Sequence, residues 1–166
     1  AQLATYANDF DVARMTTAMP YPYGVDHAEG FLEKASEADP ASEAVFVIDH
    51  PEHGAVGVLG FHTQDGGECE IGYWLGRPHW GEGFATEAAT ALIDFAFRAL
   101  GLNRVQAHQF TRNPASGRVL LKAGLHREGA SPRALRKHGR FEDVVFYGIL
   151  RRDWPGLRGS AAPFSG

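Results

Sequence analysis

The stretch WLGRPHWGEGFATEA, residues 74–88, decides the fold of this chain. It starts at the aromatic end of an alternating strand, continues through a glycine-rich turn, and enters an amphipathic pattern typical of a helix. The first N–H groups of a helix have no partner inside it, and the helix dipole adds roughly half a positive charge there. Gly81 and Gly83 let the backbone approach a bound group without a Cβ in the way. The turn therefore predicts a phosphate site, unless its glycines serve only to turn the chain.

The sequence of this turn differs from two well-known phosphate-binding motifs. A nucleoside triphosphate P-loop needs Gly-x-x-x-x-Gly-Lys-Ser/Thr, which the turn lacks. A dinucleotide fingerprint needs Gly-x-Gly-x-x-Gly, which does not occur either. The turn is therefore not a P-loop, and a dinucleotide site is poorly supported.

The composition excludes several classes of protein. With 166 residues, 44% of them hydrophobic, the chain is long enough for one domain with its own core. The single cysteine, Cys69, cannot form an internal disulfide, so we expect a core thiol and a cytoplasmic protein. No run approaches the ~20 apolar residues of a membrane span. A net charge of −4 gives no electrostatic reason to bind nucleic acid.

Two local clusters are candidates for further sites. The basic segment Arg133–Arg140 is predicted to be a solvated loop; a nucleic-acid patch and a rim that attracts an acidic substrate are the alternatives. His50 and His53 lack a third ligand at a suitable spacing, so no metal site is predicted.

The hydrophobic pattern predicts a single α/β (α+β) domain over residues 1–154, followed by a flexible tail at 155–166. Helix-like sequence covers the first twenty residues, and a helix follows Asp26, which has capping-box spacing to Glu29. A further helix follows Gly83, and Asn113 caps a short one. The predicted strands lie at 44–48, 56–61, 68–75, 104–110, 125–128 and 143–150.

Four segments in this order resemble the GNAT N-acetyltransferases, especially the RimJ/RimL-like branch that acetylates ribosomal-protein N-termini. They are Glu70–Leu75, Trp80–Ala88, Asn113–Ser116 and Val119–Gly124, and the resemblance spans about residues 17–153. It implies a mixed, mostly antiparallel central sheet flanked by helices, with a splayed strand pair that admits acetyl-CoA. It also implies an amine acceptor, no nucleic acid or membrane partner, and a monomer or homodimer.

The family's pyrophosphate motif, Gln/Arg-x-x-Gly-x-Gly/Ala, corresponds here to Trp80–Ala85. Trp80 stands where Gln or Arg is usual, but backbone groups bind the phosphates, so the site is expected to persist. The resemblance also implies that the pantetheine arm lies along Trp74 and Leu75, while Arg118 and Lys122 either reach the CoA 3′-phosphate or stay solvated. The implied cofactor-binding residues are Trp74, Leu75, Trp80, Gly81, Glu82, Gly83, Phe84, Ala85, Thr86, Asn113 and Lys122.

Acetyl transfer to an amine requires a neutral amine, a polarised thioester and a stabilised thiolate. Alternation puts Glu70 on one strand face with Glu68 and nearer the turn, so Glu70 is the predicted general base, unless it is a plain surface carboxylate. The resemblance implies that Ser116 protonates the thiolate and that Asn113 hydrogen-bonds the cofactor or substrate. The alternative for both residues is a structural role alone, with Asn113 as the N-cap of the short helix and Ser116 as a first-turn serine bonded to the backbone.

Two departures from the family qualify this interpretation. The chain begins in helix-like sequence, so the first strand of the family is predicted to be missing. Leu120 stands where many members carry a tyrosine acid, so no phenol is expected at the thiolate. The loop Tyr21–Tyr23 either lines an acceptor cleft or packs on the surface.

The preferred function is direct transfer of the acetyl group of acetyl-CoA to a primary amine in a ternary complex. The amine is either a protein N-terminus or a small amine. The alternative is a non-catalytic acyl-CoA-binding or regulatory module on the same fold.

Overall fold

The computed structural model describes residues 1–155. Short 3₁₀ turns at Arg77–His79 and Arg151–Asp153 accompany the helices and strands. The elements in chain order are α1 (Gln2–Ala7), α2 (Phe10–Ala13), α3 (Val25–Glu37), β1 (Glu43–His50), β2 (Gly54–Gln64), β3 (Glu68–Leu75), α4 (Phe84–Arg98), β4 (Arg104–Phe110), α5 (Pro114–Lys122), β5 (His126–Lys137) and β6 (Arg140–Leu150).

The strands form a six-stranded sheet in the order β1-β2-β3-β4-β6-β5. Every neighbouring pair is antiparallel except β3 and β4, which run parallel. The mixed, mostly antiparallel sheet predicted from the sequence is confirmed. The connection from β3 to β4 is helix α4, because two parallel strands need a crossover to join them.

The main core lies between α4 and one face of the sheet. Helix α4 buries Leu92, Ile93 and Phe97 at helical spacing. Cys69 and Ile71 of β3 lie beneath them, together with inward-facing residues of the neighbouring strands. Cys69 is fully buried, and burial raises the pKa of its thiol to about 12. The thiol is therefore part of the core and remains protonated at neutral pH.

Most side chains of Arg133–Arg140 are exposed, as predicted, but the predicted loop is wrong, because the segment forms the end of β5, a tight turn and the start of β6. Leu135 pairs with Glu142 and Lys137 pairs with Arg140. This pairing provides hydrogen-bond partners for the backbone of a segment that is rich in charged side chains. Lys137 is buried, and its Nζ donates to the carbonyl oxygens of Thr17 and Met19. Strand pairing therefore overrode the local composition.

The N-terminal part of the chain differs from expectation in detail. Helix α3 begins one residue before Asp26, and the Gly24 N–H donates to His27 Nδ1 at 2.9 Å, so the predicted Asp26–Glu29 capping box is wrong. No strand precedes α1 in the part of the chain that the structure describes, and β1 is an edge strand. Residues 156–166 of the predicted tail lie outside the described residues.

None of the helices in residues 1–155 is long and apolar enough to cross a membrane.

Candidate active site

The parallel strands β3 and β4 separate partway along their length. Their pairing covers three residues on each side and ends where Glu70 lies opposite Gln106. Beyond this point β3 continues to Leu75 paired with β2 alone, and β4 continues to Phe110 paired with β6. The splayed strand pair expected from the resemblance is therefore present, and it leaves a slot between the two strands.

A cavity of about 760 Å³ occupies this slot and passes from one face of the sheet to the other. On one side it reaches Thr17, in the loop after α2, and Phe31 of α3. On the other side it reaches Trp80, Gly81 and Ser116. A slot of this shape admits a narrow arm between two strands and offers separate entrances for two ligands.

The glycine-rich turn joins β3 to α4 at the second entrance. Gly81 and Gly83 both have left-handed backbones, with φ of 80° and 83°. A Cβ on either residue would meet no protein atom within 4 Å, so the space in front of the turn is open. Gly83 is the N-cap of α4 and has no side chain to accept from the first N–H groups of the helix. These groups suit an anion such as a pyrophosphate, which would fill the open space.

Trp80 holds the turn to the end of β3. Its indole Nε1–H donates to the carbonyl oxygen of Leu75 at 2.9 Å, and the ring is about half exposed. A side chain that anchors the loop leaves its backbone free to bind, which explains how a tryptophan fits a position where Gln or Arg is usual.

Glu70 lies at the point where the two strands part, and it forms a pair with His108 of β4. Its Oε1 is 3.1 Å from His108 Nδ1, and both side chains are mostly buried. The hydrogen bond from His108 lowers the pKa of the Glu70 carboxyl, although burial acts in the opposite direction. Glu68 points toward Arg104, 3.9 Å away, at the paired end of the strands. Of the two carboxylates, Glu70 is the one that faces the cavity.

Ser116 lies next to a phenol, the side chain of Tyr73. Its Oγ lies 2.8 Å from the hydroxyl oxygen of Tyr73, which also lies 3.2 Å from the Ser116 carbonyl oxygen. Burial raises the pKa of Tyr73 to about 12, so the phenol stays protonated at neutral pH. This phenol comes from β3, and not from the position in α5 that Leu120 occupies. Leu120, at the family's usual position, is buried.

Asn113 caps α5, which is one of the two roles predicted for it. Its Oδ1 accepts from the Ser116 N–H at 3.4 Å, and Pro114 occupies the first turn. The same asparagine lines the cavity, so the capping role does not remove it from the site.

The cavity brings together part of the predicted set and leaves the rest outside. The predicted residues that line it are Glu70, Trp74, Leu75, Trp80, Gly81, Ala85, Asn113 and Ser116. The predicted residues outside its lining are Glu82, Gly83, Phe84, Thr86 and Lys122. Phe84 instead packs on His50 at 5.0 Å between ring centroids. Lys122 is exposed at the end of α5.

The loop Tyr21–Tyr23 lies outside the cavity lining. The ring of Tyr21 is exposed and packs edge-on against Phe10 at 5.2 Å. Of the two alternatives for this loop, the structure supports packing on the surface.

Sequence reasoning missed Tyr73, His108 and Thr17. Strand alternation contained a usable signal for His108, because the parallel register that pairs Glu70 with Gln106 puts His108 on the face of Glu70. The register itself is a property of the folded sheet. Tyr73 lies on the opposite, core-facing side of β3, where a buried tyrosine is expected to hydrogen-bond.

A second group of histidines lies beside the turn. His50 and His53 stack at 4.6 Å, and His79 is close to His53 at 5.3 Å. The hydroxyl oxygen of Tyr6 lies within hydrogen-bond distance of His79 Nε2, at 3.0 Å. Within residues 1–155, no group of three or more His, Cys, Asp or Glu side chains has the arrangement of a metal site.

Comparison with known proteins identifies the family. A sequence model of the acetyltransferase (GNAT) domain matches residues 1–126. The chain belongs to the GNAT acetyltransferases. The uncharacterized N-acetyltransferase p20 of Bacillus licheniformis is 32% identical over 93% of this chain and 88% of its own length.

Two further comparisons concern the branch of the GNAT family. The [ribosomal protein uS5]-alanine N-acetyltransferase of Escherichia coli is 31% identical over 65% of this chain and 57% of that enzyme. Mycobacterium smegmatis RimJ, solved in complex with CoA-disulfide, superposes with a TM-score of 0.82 over 93% of this chain and 78% of RimJ. The sequences of RimJ and this chain are 24% identical, so the similarity to RimJ shows a shared fold and nothing further. The resemblance to the RimJ/RimL-like branch is confirmed.

Proposed function

We propose that this GNAT protein transfers the acetyl group of acetyl-CoA directly to a primary amine while both substrates are bound. The observation that carries the proposal is the slot between β3 and β4. It connects an anion-suited turn on one side with the Glu70–His108 pair on the other. Two substrates that enter from opposite sides can be bound in the slot at the same time, as direct transfer requires.

The acetyl-CoA end of the slot fits the group that it is proposed to hold. The free N–H groups and left-handed glycines of the turn suit the pyrophosphate, since backbone donors at a helix start favour anions. The unpaired edge of β3 near Trp74 suits the pantetheine arm and offers backbone N–H groups to polarise the thioester carbonyl. The CoA-disulfide bound to the RimJ relative supports the same assignment.

The acid and the base lie on opposite faces of the sheet. Alternation along β3 puts Glu70 on one face and Tyr73 on the other. The Glu70–His108 pair is proposed to remove the proton of the amine. Ser116, bonded to Tyr73, is proposed to protonate the leaving thiolate. Two observations favour a non-catalytic acyl-CoA-binding module: the leucine at position 120 and the absence of the family's first strand from residues 1–155. The phenol supplied by Tyr73 weakens the first of them.

The proposed acceptor is an α-amino group or a small amine of similarly low pKa. An α-amine has a pKa near ~7.8 and lysine one near ~10.4, so neutralisation at pH 7 costs about 1 and about 4.6 kcal/mol respectively. A site with one carboxylate–imidazole pair suits the acceptor that is easier to neutralise. The ribosomal-protein alanine acetyltransferase among the relatives supports this choice.

The test measures thiol release from acetyl-CoA with two matched peptides. One has a free N-terminus and a blocked lysine, and the other has the reverse. We expect a higher kcat/KM for the free N-terminus, with the acetyl group located there by mass spectrometry. A preference for the lysine peptide would contradict the acceptor class. Binding of acetyl-CoA without thiol release for any amine, including small amines, would support the non-catalytic alternative.

A further inference from the structure

His108 presents one ring nitrogen to the cavity and the other to a carboxylate. Its Nδ1 lies 3.1 Å from Glu70 Oε1, and its Nε2 lies 3.2 Å from the Thr17 hydroxyl. An ionised carboxylate only accepts hydrogen bonds, so Nδ1 must carry the ring proton. Nε2 then has a free lone pair, which accepts from the Thr17 hydroxyl. Thr17 lines the first entrance of the slot.

We infer that His108 is the catalytic base of the proposed transfer: its Nε2 takes the proton of the acceptor ammonium, and Glu70 is a positioning residue that fixes the ring. This inference rests on the proposed function and refines the assignment of Glu70. The acceptor nitrogen occupies the place at Nε2 that the Thr17 hydroxyl has in the free protein.

The geometry and the chemistry favour the imidazole over the carboxylate. The His108 ring reaches farther along the open part of the slot, since β4 has already left β3 beyond Gln106. The hydrogen bond from His108 lowers the pKa of Glu70, which makes this carboxylate a weaker base. A general base works best when its pKa is near the working pH, and imidazole is the side chain that titrates there. A carboxylate behind such a ring fixes its tautomer and stabilises the cation that forms.

The reaction balances with these groups. One N–H bond of the acceptor ammonium breaks, and the proton moves to His108 Nε2, giving an imidazolium beside the Glu70 carboxylate. The nitrogen lone pair forms the bond to the acetyl carbonyl carbon, and the C–S bond breaks with its electron pair on sulfur. The thiolate takes a proton from Ser116 Oγ, and the second proton lost by nitrogen replaces it through solvent. The products are the amide, CoA thiol and one proton, which His108 releases to water.

Several other ionisable groups surround this pair. His62 of β2 lies opposite Glu70 in the strand register. Lys137 of β5 donates to the Thr17 carbonyl oxygen on the loop side. Burial and, after it, the nearby charge of Arg112 lower the pKa of Lys137. Arg112 itself pairs with Glu142 at 3.0 Å. All of them remain in place in the variants below, so changes in the pH profile report on His108 and Glu70.

The first experiment removes the ring and supplies it from solution. His108→Ala is expected to lower kcat for the free-N-terminus peptide about 10²-fold or more, with an unchanged Kd for acetyl-CoA. Added imidazole is expected to restore part of the rate. His126→Ala, a histidine of β5 outside the site, is the matched control and should show neither effect. An unaltered kcat in His108→Ala would overturn the inference.

The second experiment compares the pH dependence of kcat in two variants. Glu70→Gln removes the negative charge beside the imidazolium, so the acidic limb should move to lower pH. In His108→Gln the same limb should disappear. If Glu70 is the base instead, the outcomes reverse: Glu70→Gln loses the limb and His108→Gln keeps it. That result would overturn the inference and leave the proposed transfer intact.

A third measurement does not depend on turnover. Nitrogen-15 NMR of the histidine rings, with His108 assigned by its absence in His108→Gln, should show the neutral ring protonated on Nδ1. The His108 ring in Glu70→Gln should lose this strong preference. A neutral ring protonated on Nε2 in the wild-type protein would overturn the inference even if no acceptor is turned over. Absence of thiol release in the wild-type protein would count against the proposed function alone.

Discussion

Tyr73 and Ser116 hold each other on the core side of the slot, and the direction of their hydrogen bonds matters. The single proton of the Tyr73 hydroxyl has two acceptors within reach, the Ser116 carbonyl oxygen at 3.2 Å and Ser116 Oγ at 2.8 Å. When this proton goes to Oγ, the serine proton is free to point into the cavity. Their 2.8 Å separation and the protonated state of the buried phenol suit this arrangement. A tyrosine of this kind acts through the serine and is a positioning residue.

Removal of the Tyr73 hydroxyl should slow turnover without affecting cofactor affinity. Tyr73→Phe keeps the ring but loses a hydrogen bond worth roughly 1 kcal/mol, so kcat is expected to fall about fivefold. Ser116→Ala should have a similar or larger effect. Because the two residues act as a unit, the double variant should be no slower than the worse single variant. Losses that multiply in a double-mutant cycle would show that the two residues act separately.

The element that determines cofactor binding is the turn between β3 and α4. Its glycines have left-handed backbones, and no protein atom lies within 4 Å of a Cβ built on either one. The space in front of them is therefore available to a ligand. Folding requires a residue that adopts a left-handed backbone at these positions. Ligand binding also requires that this residue has no side chain in the space in front of the turn.

A valine at Gly83 should weaken acetyl-CoA binding at least tenfold by calorimetry, because its side chain enters the proposed pyrophosphate space. Gly101→Val is the matched control. Gly101 also has a left-handed backbone, with φ of 65°, and an open Cβ position, but it lies after the other end of α4. Both variants carry similar backbone strain, so both should lose stability by about 1–3 kcal/mol. Equal acetyl-CoA affinity in the two variants would contradict the assignment of the turn.

The last strands illustrate how elements depend on their neighbours. Charged residues in Arg133–Arg140 favour a loop when the segment is considered alone, yet β6 pairs with them and converts them to strand. The buried Lys137 then attaches this hairpin to the loop that carries Thr17. A hairpin far along the chain therefore helps to shape the first entrance of the slot.

At the scale of the whole molecule, ligand binding and folding should be coupled. The slot and the turn exist only in the folded chain, so acetyl-CoA is expected to bind the folded state alone. At 100 times Kd this stabilises the fold by roughly 2.7 kcal/mol, measurable by urea denaturation. Gly83→Val should gain much less at the same concentration. An unchanged midpoint for the wild-type protein would argue against acetyl-CoA as the ligand.

Local signals were sufficient for the elements that build the site. Strands β3 and β4 have the predicted limits, and Asn113 and Pro114 start α5 as expected. These predictions succeeded because alternation, helix caps and turn glycines act over a few residues. The anion-suited turn was found for the same reason, since a glycine-rich segment before an amphipathic helix is contiguous in sequence.

The sequence by itself therefore determined the order of elements, the glycine turn and the membership of the family. Only the tertiary structure decided which side chains work together. Glu70 lies next to His108 because β3 and β4 pair in one parallel register and then part. Tyr73 lies next to Ser116 because α5 packs against β4 and α4 on the core side of the sheet. Strand register and helix packing depend on contacts between distant parts of the chain. Local periodicity does not encode those contacts, so the base and its partner became visible only in the folded molecule.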